Sequence, residues 1–377
     1  MASTSLLRML SVLFSLCFAA DRDVDEWNLL STGPWGAREG LMGTFYSGYI
    51  WMSGGRYSPP SPQNISQSIF YNDVWRMPAK CVSNPSTCEW QLVSNSSEWQ
   101  PRAYHIMFNH SVDNVSYMYI IAGQNLSTFY NDVWRSTDGV QWQQVIPNDF
   151  NGSNPAQFHV RAGLAAVSNP GDAMMYVSSG CFDEFPNRQE LNDVWRSRDG
   201  SQWQLVVQNR ADSVMHVRSG PRVQIYGEFL YIVAGEHGFS ETTQLRDVWK
   251  LDLSAIDSHN ISENAWQLVV AHAPFVNRSG HGFVIDTHGS FWVIAGYLDL
   301  HDLWTSRDLG VSWSRVDRHV FNCAFDELHC GRYDFWAQLD DQNNLFLYGG
   351  DSDWNTFGGE WNQTFQRNLD SYDMHAD

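Results

Sequence analysis

Six arginines recur at one place in a repeating pattern: Arg38, Arg102, Arg161, Arg218, Arg278 and Arg332, each opening a strand-like segment. A guanidinium offers a planar fork of donors that can grip a carboxylate, a sulfate or an acidic side chain with two bonds at once. If the six converge, they make a positive focus on an otherwise acidic chain, with 42 Asp and Glu against 23 Lys and Arg and a formal charge of −19. The same arginines have a structural reading, as partners of nearby carboxylates such as Asp183, Glu184, Asp351 and Asp353. Histidines offer a second chemistry. His105 and His281 stand three residues after Arg102 and Arg278, and His237 follows an apolar run, so the three could approach one another near an axis. A copper or iron centre needs several such groups in fixed geometry, and no His-x-His pair or His/carboxylate cluster at ligand spacing is present. Neither a metal nor any other cofactor is expected. No Gly-rich phosphate loop, nucleophile elbow or Cys/His pairing is visible, and the acidic balance disfavours nucleic acid as a partner.

The elements that must position these residues are repeated. Asn72-Asp73-Val74-Trp75-Arg76 returns as Asn131-Asp132-Val133-Trp134-Arg135 and Asn192-Asp193-Val194-Trp195-Arg196, then loosely at Arg246 to Lys250 and at His301 to Thr305. The aspartates fall 59, 61, 54 and 55 residues apart, a period that marks one supersecondary module. Each module holds an apolar run ending in small residues, and six such runs begin at Tyr49, Tyr119, Met175, Tyr231, Trp292 and Leu345. A continuous apolar run predicts a strand buried on both faces, and its terminal Gly predicts crowded backbones near an axis.

The arginine segment precedes each run, and the Asp-Val-Trp strand and a last strand at Trp90, Trp142, Trp203, Trp266 or Trp313 follow it. The sixth last strand is expected from the amino end, at Glu26 to Leu30, and the sixth Asp-Val-Trp equivalent at Asn368 to Tyr372. The fold class is therefore all-β: a six-bladed β-propeller of four-stranded antiparallel blades, the last blade closed by the N-terminal strand, which removes open sheet edges. In such a blade the start of the first strand and the end of the second share one face. One mouth of the channel should carry the arginines together with Arg56, Glu236, His237 and Asp351, the candidate ligand-binding set. The loops after each terminal Gly differ from blade to blade, and differences on a repeated scaffold are where a site is written.

The double Gly, or its Ala-Gly variant, after an apolar strand, followed by a Trp-bearing strand and a final Trp, resembles the kelch family over roughly Trp27 to Tyr372. Kelch propellers include enzymes, adaptors and ligand-binding proteins, and in adaptors that bind acidic peptides arginines near these strand starts face the ligand. Ser306 to Trp313 looks like the Asp box of sialidase-type propellers, with shortened versions at Ser136 to Trp142 and Ser197 to Trp203. That resemblance implies a structural turn remote from any active site. A repeated Asp and Trp are read as stability devices, Asp fixing a turn and Trp filling the space between sheets.

Met1 to about Ala20 reads as a cleaved secretory signal, leaving 21–377 as the propeller. No other run approaches membrane length. Nine sequons, at Asn64, Asn95, Asn109, Asn114, Asn125, Asn151, Asn260, Asn277 and Asn362, agree with passage through a glycosylating lumen. Two disulfides are expected, Cys81 with Cys88 and Cys323 with Cys330, and Cys181 is left over. The functional expectation is a secreted, glycosylated propeller that binds an extracellular protein or acidic glycan. The alternative is an extracellular carbohydrate-active enzyme, either a sialidase-like hydrolase or a galactose-oxidase-like metalloenzyme.

Overall fold

The structure, a computed structural model, describes residues 27–59, 65–183, 187–238, 243–256, 266–297, 300–322, 331–352 and 361–375. The leader, Asn64, Glu184, Asn260, Asp299, Cys323, Cys330, Asp353 and Trp354 lie outside the described residues. Six four-stranded antiparallel sheets form the blades of a propeller. Blade 1 runs Met42–Tyr46, Tyr49–Ser53, Val74–Pro78, Gln91–Ser94 from the axis outward, and blades 2 to 5 repeat that order. Blade 6 takes Trp336–Leu339, Asn344–Tyr348 and Gln363–Asn368 from the carboxyl end and its outermost strand, Asn28–Thr32, from the amino end. Among the described residues no helix is long and apolar enough to cross a membrane.

Two concentric rings of backbone hydrogen bonds close the circle. In the outer ring the second residue of each small pair donates to the arginine carbonyl of the next blade: Gly55 to Arg102 (2.9 Å), Gly123 to Arg161 (2.9 Å), Gly180 to Arg218 (2.9 Å), Gly235 to Arg278 (3.0 Å), Gly296 to Arg332 (2.9 Å) and Gly350 to Arg38 (3.0 Å). In the inner ring the residue two after each arginine donates to its counterpart in the preceding blade. Gly40 donates to Asp334, Tyr104 to Gly40, Gly163 to Tyr104, Gly220 to Gly163, Gly280 to Gly220 and Asp334 to Gly280, at 2.8 to 3.4 Å. The terminal Gly is obligatory for a local reason: a Cβ on Gly123 would stand 2.9 Å from the Ala103 carbonyl oxygen and 2.7 Å from the His105 Cβ.

The repeated phrase is explained by one buried carboxylate per blade. Asp132 accepts the Arg102 fork at 2.6 and 3.0 Å and the Trp134 indole N–H at 2.8 Å, and the same three bonds recur on Asp73, Asp193, Asp247 and Asp302. The residue between Asp and Trp points the other way and is fully buried at Val74, Val133, Val194, Val248 and Leu303. The repeated Asp thus holds an ion pair and an indole, where a turn-fixing role was expected. Turn fixing falls to the later Asp of the Asp-box-like segments. Asp138 and Asp308 accept backbone N–H groups across their turns, Ser136 and Ser306 bond the turn glycine, and Trp142 and Trp313 donate back to that glycine's carbonyl. The final Trp of each blade fills the seam between sheets; Trp90 of blade 1 donates to Thr364 of blade 6 at 3.0 Å.

Blade 6 corrects one expectation. Its third strand is Gln363–Asn368, and Leu369–His375 is a 3-10 helix, so Asn368 to Tyr372 is not the Asp-Val-Trp equivalent. The equivalent is Asn362-Gln363-Thr364-Phe365-Gln366: Gly349 N–H donates to the Gln363 carbonyl as Gly54 N–H does to that of Asp73. The Asp and the Trp changed together, which is physically consistent, because a neutral amide offers one acceptor oxygen and Phe has no N–H to occupy a second.

Candidate functional site

The six arginines stand at the predicted strand starts, yet their charged ends turn into their own blades. All are 0 to 2% exposed. In blades 1 to 5 both terminal nitrogens bond the repeat Asp, Nη1 also bonds the first small residue's carbonyl, and Nε bonds the carbonyl two residues back, as in Arg102 with Ala122 (2.8 Å) and Gln100 (3.0 Å). With four of the five N–H donors committed inside the protein and the side chains buried, Arg38, Arg102, Arg161, Arg218 and Arg278 present no fork to the channel. Pairing with carboxylates was the structural alternative read from the sequence, although the partner is the Asp-Val-Trp aspartate and not Asp183 or Asp351.

Arg332 is the exception among the six. Its Nη2 donates to Gln363 at 2.7 Å, and its guanidinium is boxed by Phe321, Trp361 and Phe365 at 4.4, 4.2 and 4.9 Å. Burial lowers its pKa, and among the described residues no carboxylate pairs with it. Gln363→Asp is therefore expected to raise stability by about 1–3 kcal/mol, since it supplies the charged acceptor that the other blades have. The check is a thermal melt, and a lower Tm for Q363D would sink it.

The other predicted residues do come together, around residues that the sequence did not single out. Beyond five of the small pairs the chain on either side pairs once more, at Glu39 with Arg56, Ala103 with Gln124, Ala162 with Cys181, Ser219 with Glu236 and Tyr333 with Asp351. These pairs wall the mouth, and the inner hydrogen-bonded ring is its floor. Arg56 Nε bonds Glu39 at 2.7 Å and its guanidinium lies 5.2 Å from the Tyr104 ring centre. Burial opposes the Arg56 charge, but Glu39, Tyr104 and Asp334 together outweigh it and the pKa rises. Arg188 bonds Glu236 at 2.6 Å, lies 3.4 Å from Glu190 and also bonds Ser219. His237 Nδ1 is 3.1 Å from Glu190, and its ring stacks on His216. Tyr333 Oη donates to Asp351 at 3.0 Å and packs edge-on against Tyr297.

The floor itself departs from the repeat in two blades. All six inner-ring positions have positive φ; four are Gly40, Gly163, Gly220 and Gly280, and the others are Tyr104 (φ 54°) and Asp334 (φ 51°). A left-handed conformation costs a non-glycine residue roughly 1–2 kcal/mol. Tyr104 lies over Gly40, whose Cβ would fall 2.9 Å from the ring, and Asp334 lies over Gly280 in the same way at 2.5 Å. Burial, then the charges of Glu39 and Glu236, push the Asp334 carboxyl up to about 7, while Arg222 and Arg56 pull it down. Burial raises the Tyr104 and Tyr333 phenols as well.

Several chemistries fail on geometry. His105 is fully buried with Nε2 2.9 Å from Ser53 Oγ, His281 is fully buried, and His237 is at the rim, so the three do not meet. Among the described residues no three His, Cys, Asp or Glu are grouped to hold a metal. Cys181 is a buried free thiol whose pKa burial pushes up to about 11, which leaves it without thiolate character. Cys81 and Cys88 form a disulfide with Cα atoms 5.0 Å apart. Of the described sequons, Asn95, Asn109, Asn114 and Asn151 are exposed, and Asn125 and Asn277 are half-buried. Two of these amide nitrogens are already engaged: Asn109 donates to the Phe45 carbonyl at 2.9 Å, and Asn362 to the Gly33 carbonyl at 2.9 Å, as Asn72 does to Ser97, so a sugar on Asn362 would displace a bond that holds blade 6 to the amino end.

Glu39, Tyr104, Arg188, Ser219, Tyr333 and Asp334 carry no motif that residue type alone would flag. Their one signal in the chain, for all but Arg188, is an offset of one or two positions past the repeated Arg, where the repeat elsewhere has small residues. Comparison with known proteins finds no protein family that matches the chain and no curated protein similar to it in sequence.

Proposed function

We propose that the protein is a secreted, glycosylated kelch-type propeller that binds an extracellular protein through the mouth floored by Tyr104 and Asp334. One observation carries this reading: at a position where four blades use Gly, two place a Tyr and an Asp in left-handed backbone. Strain of that kind persists where surrounding structure enforces it, and it clusters at ligand sites. The charge of the mouth supports a protein over an acidic glycan. Arg56 and Arg188 are already paired with Glu39, Glu190 and Glu236, so neither is a free grip for an acidic glycan, and Tyr104, Asp334 and the more exposed Glu236 suit basic and hydroxyl-bearing side chains. The signal-like leader and the exposed sequons support secretion.

Tyr104→Gly tests the reading because it restores the residue that the repeat uses. Its Tm is expected to stay within a few degrees of the parent, since relief of the left-handed strain offsets the entropy cost of Gly. Capture of extracellular proteins by immobilised protein, read by mass spectrometry and then by titration of each one captured, is expected to weaken at least tenfold, the loss of about 1.4 kcal/mol of contact. If Tyr104→Gly and Glu236→Gln together leave every detected interaction unchanged, the mouth is not the site. A second reading rests on Asp334, a carboxyl poised to hold a proton near neutral pH beside Glu39. Hydrolysis of aryl glycosides by the parent and its loss in Asp334→Asn would replace binding with catalysis.

A further inference from the structure

Below the floor, the six inner strands enclose an axial cavity of about 330 Å³, a size at the lower end for small-molecule sites. Its walls mix apolar side chains, Phe45, Ile106, Phe108, Val167, Phe283 and Trp336 among them, with the polar Thr44, Asn109, Ser168 and Gln224, and no carboxylate is among the described residues that line it. Two of the polar lining groups, Arg222 and Gln338, hold buried donors without a partner. Arg222, two residues past the ring residue Gly220, has a buried Nη2 with no hydrogen-bond partner, and its Nη1 reaches only the Pro221 carbonyl at 3.4 Å. Gln338, nine-tenths buried, uses its oxygen on the Trp336 indole at 3.3 Å and leaves Nε2 without a partner. Among the described residues Arg222 makes no ion pair, in contrast to the repeat arginines.

Unpartnered buried donors are rare in folded proteins, and each calls for an explanation. The Arg222 nitrogen is the costlier of the two, because a charged donor there has lost water and, beyond the field of Asp334, gained no counter-charge. Burial indeed works to lower the Arg222 pKa, with only Asp334 acting the other way. The residue is also specific to its blade. The positions matching Arg222 in the other blades are Met42, Ile106, Ala165, Gly282 and Trp336, none of them charged, so the repeat does not require it.

We infer that the axial cavity binds a small organic carboxylate with an apolar body, its carboxylate on Arg222 and Gln338 and its body against the Phe and Trp walls. This site lies on the other side of the floor from the mouth, with Arg222 and Asp334 coupled by charge across it, and its ligand is opposite in charge to the one the mouth would take. A carboxylate supplies the acceptors that both donors lack, and a guanidinium can take it with two parallel bonds.

The probe is hexanoate, titrated by calorimetry and thermal shift into the full secreted chain, with acetate and hexanol as its two halves. Hexanoate is expected to bind at one site and raise Tm, with acetate and hexanol each at least about tenfold weaker. Arg222→Gln is expected to lose hexanoate affinity by at least about tenfold, the scale of a charged hydrogen bond. Because Arg222 Nη2 bonds nothing in the protein, this variant is expected to melt no lower than the parent, so loss of binding is not loss of fold. Gln338→Leu should weaken hexanoate less than Arg222→Gln does. The inference is overturned if hexanoate gives neither heat nor a Tm shift at millimolar concentration, if hexanol binds as tightly, or if R222Q binds hexanoate like the parent.

Discussion

Replacing Asp132 by alanine is expected to destabilise the propeller by about 3–5 kcal/mol, the cost of removing one partner from a buried ion pair. Asp132 is 2% exposed and accepts three charged or polar donors, two from Arg102 and one from Trp134. Its loss leaves a guanidinium that is 0% exposed with two backbone carbonyls and no counter-charge. The pair need not be strongly stabilising for this to hold, because desolvation offsets much of its attraction; what is costly is half of it. Arg102→Met combined with Asp132→Ala should therefore lose less than Asp132→Ala alone. Urea unfolding of the two variants beside the parent checks both statements. A loss below about 1 kcal/mol for D132A would mean that Arg102 finds other partners and that the repeated aspartate has a further role.

Asp334→Asn is expected to stabilise the protein at pH 8 and to do nothing at pH 4. The carboxyl titrates near 3.8 in the unfolded chain and is pushed up to about 7 in the fold, first by burial and then by Glu39. Between those values the folded state holds a proton that the unfolded state has released. The contribution is thus complete below about pH 4 and is lost as pH rises through 7. Asparagine mimics the protonated form and tolerates the left-handed backbone, so it escapes that loss. The gain at pH 8 should be on the order of 2–4 kcal/mol, given about 1.4 kcal/mol for each tenfold change in proton affinity and some relief from the arginines nearby. Melts of both proteins across pH 4 to 8 decide it: parallel curves would show that Asp334 is ionised throughout and is held by Arg222 or Arg56.

These two residues show how much was legible in the chain. Asp132 belongs to the repeat, and its structural importance could be read from recurrence, although its partner could not: Arg102 lies 30 residues upstream, and a pairing across three strands has no local signature. Asp334 carries no motif at all. It stands where the repeat has Gly, and only the ring of hydrogen bonds from Gly280 to Asp334 to Gly40 makes that position the centre of the molecule. Blade 6 hides its third strand for a related reason. The repeat is recognisable by an acidic residue and an indole, and Gln363 and Phe365 replace both features at once, so backbone register alone reveals the equivalence.

The sequence by itself determined the number of blades, their strand order, the closure by the amino-terminal strand and the turn chemistry of the Asp-box-like segments. Those depend on periodicity, apolar runs and turn residues, which act over a few positions and repeat. Tertiary structure decided which charges are available to a ligand. Five of the six arginines that looked like a binding set are consumed by carboxylates on the third strand of their blades, while Arg222, on an inner strand with no motif of its own, keeps a buried donor facing the axial cavity. Residue type fixes what a side chain can bond, but whether that capacity is already spent depends on partners distant in the chain, and only the folded geometry brings them within reach.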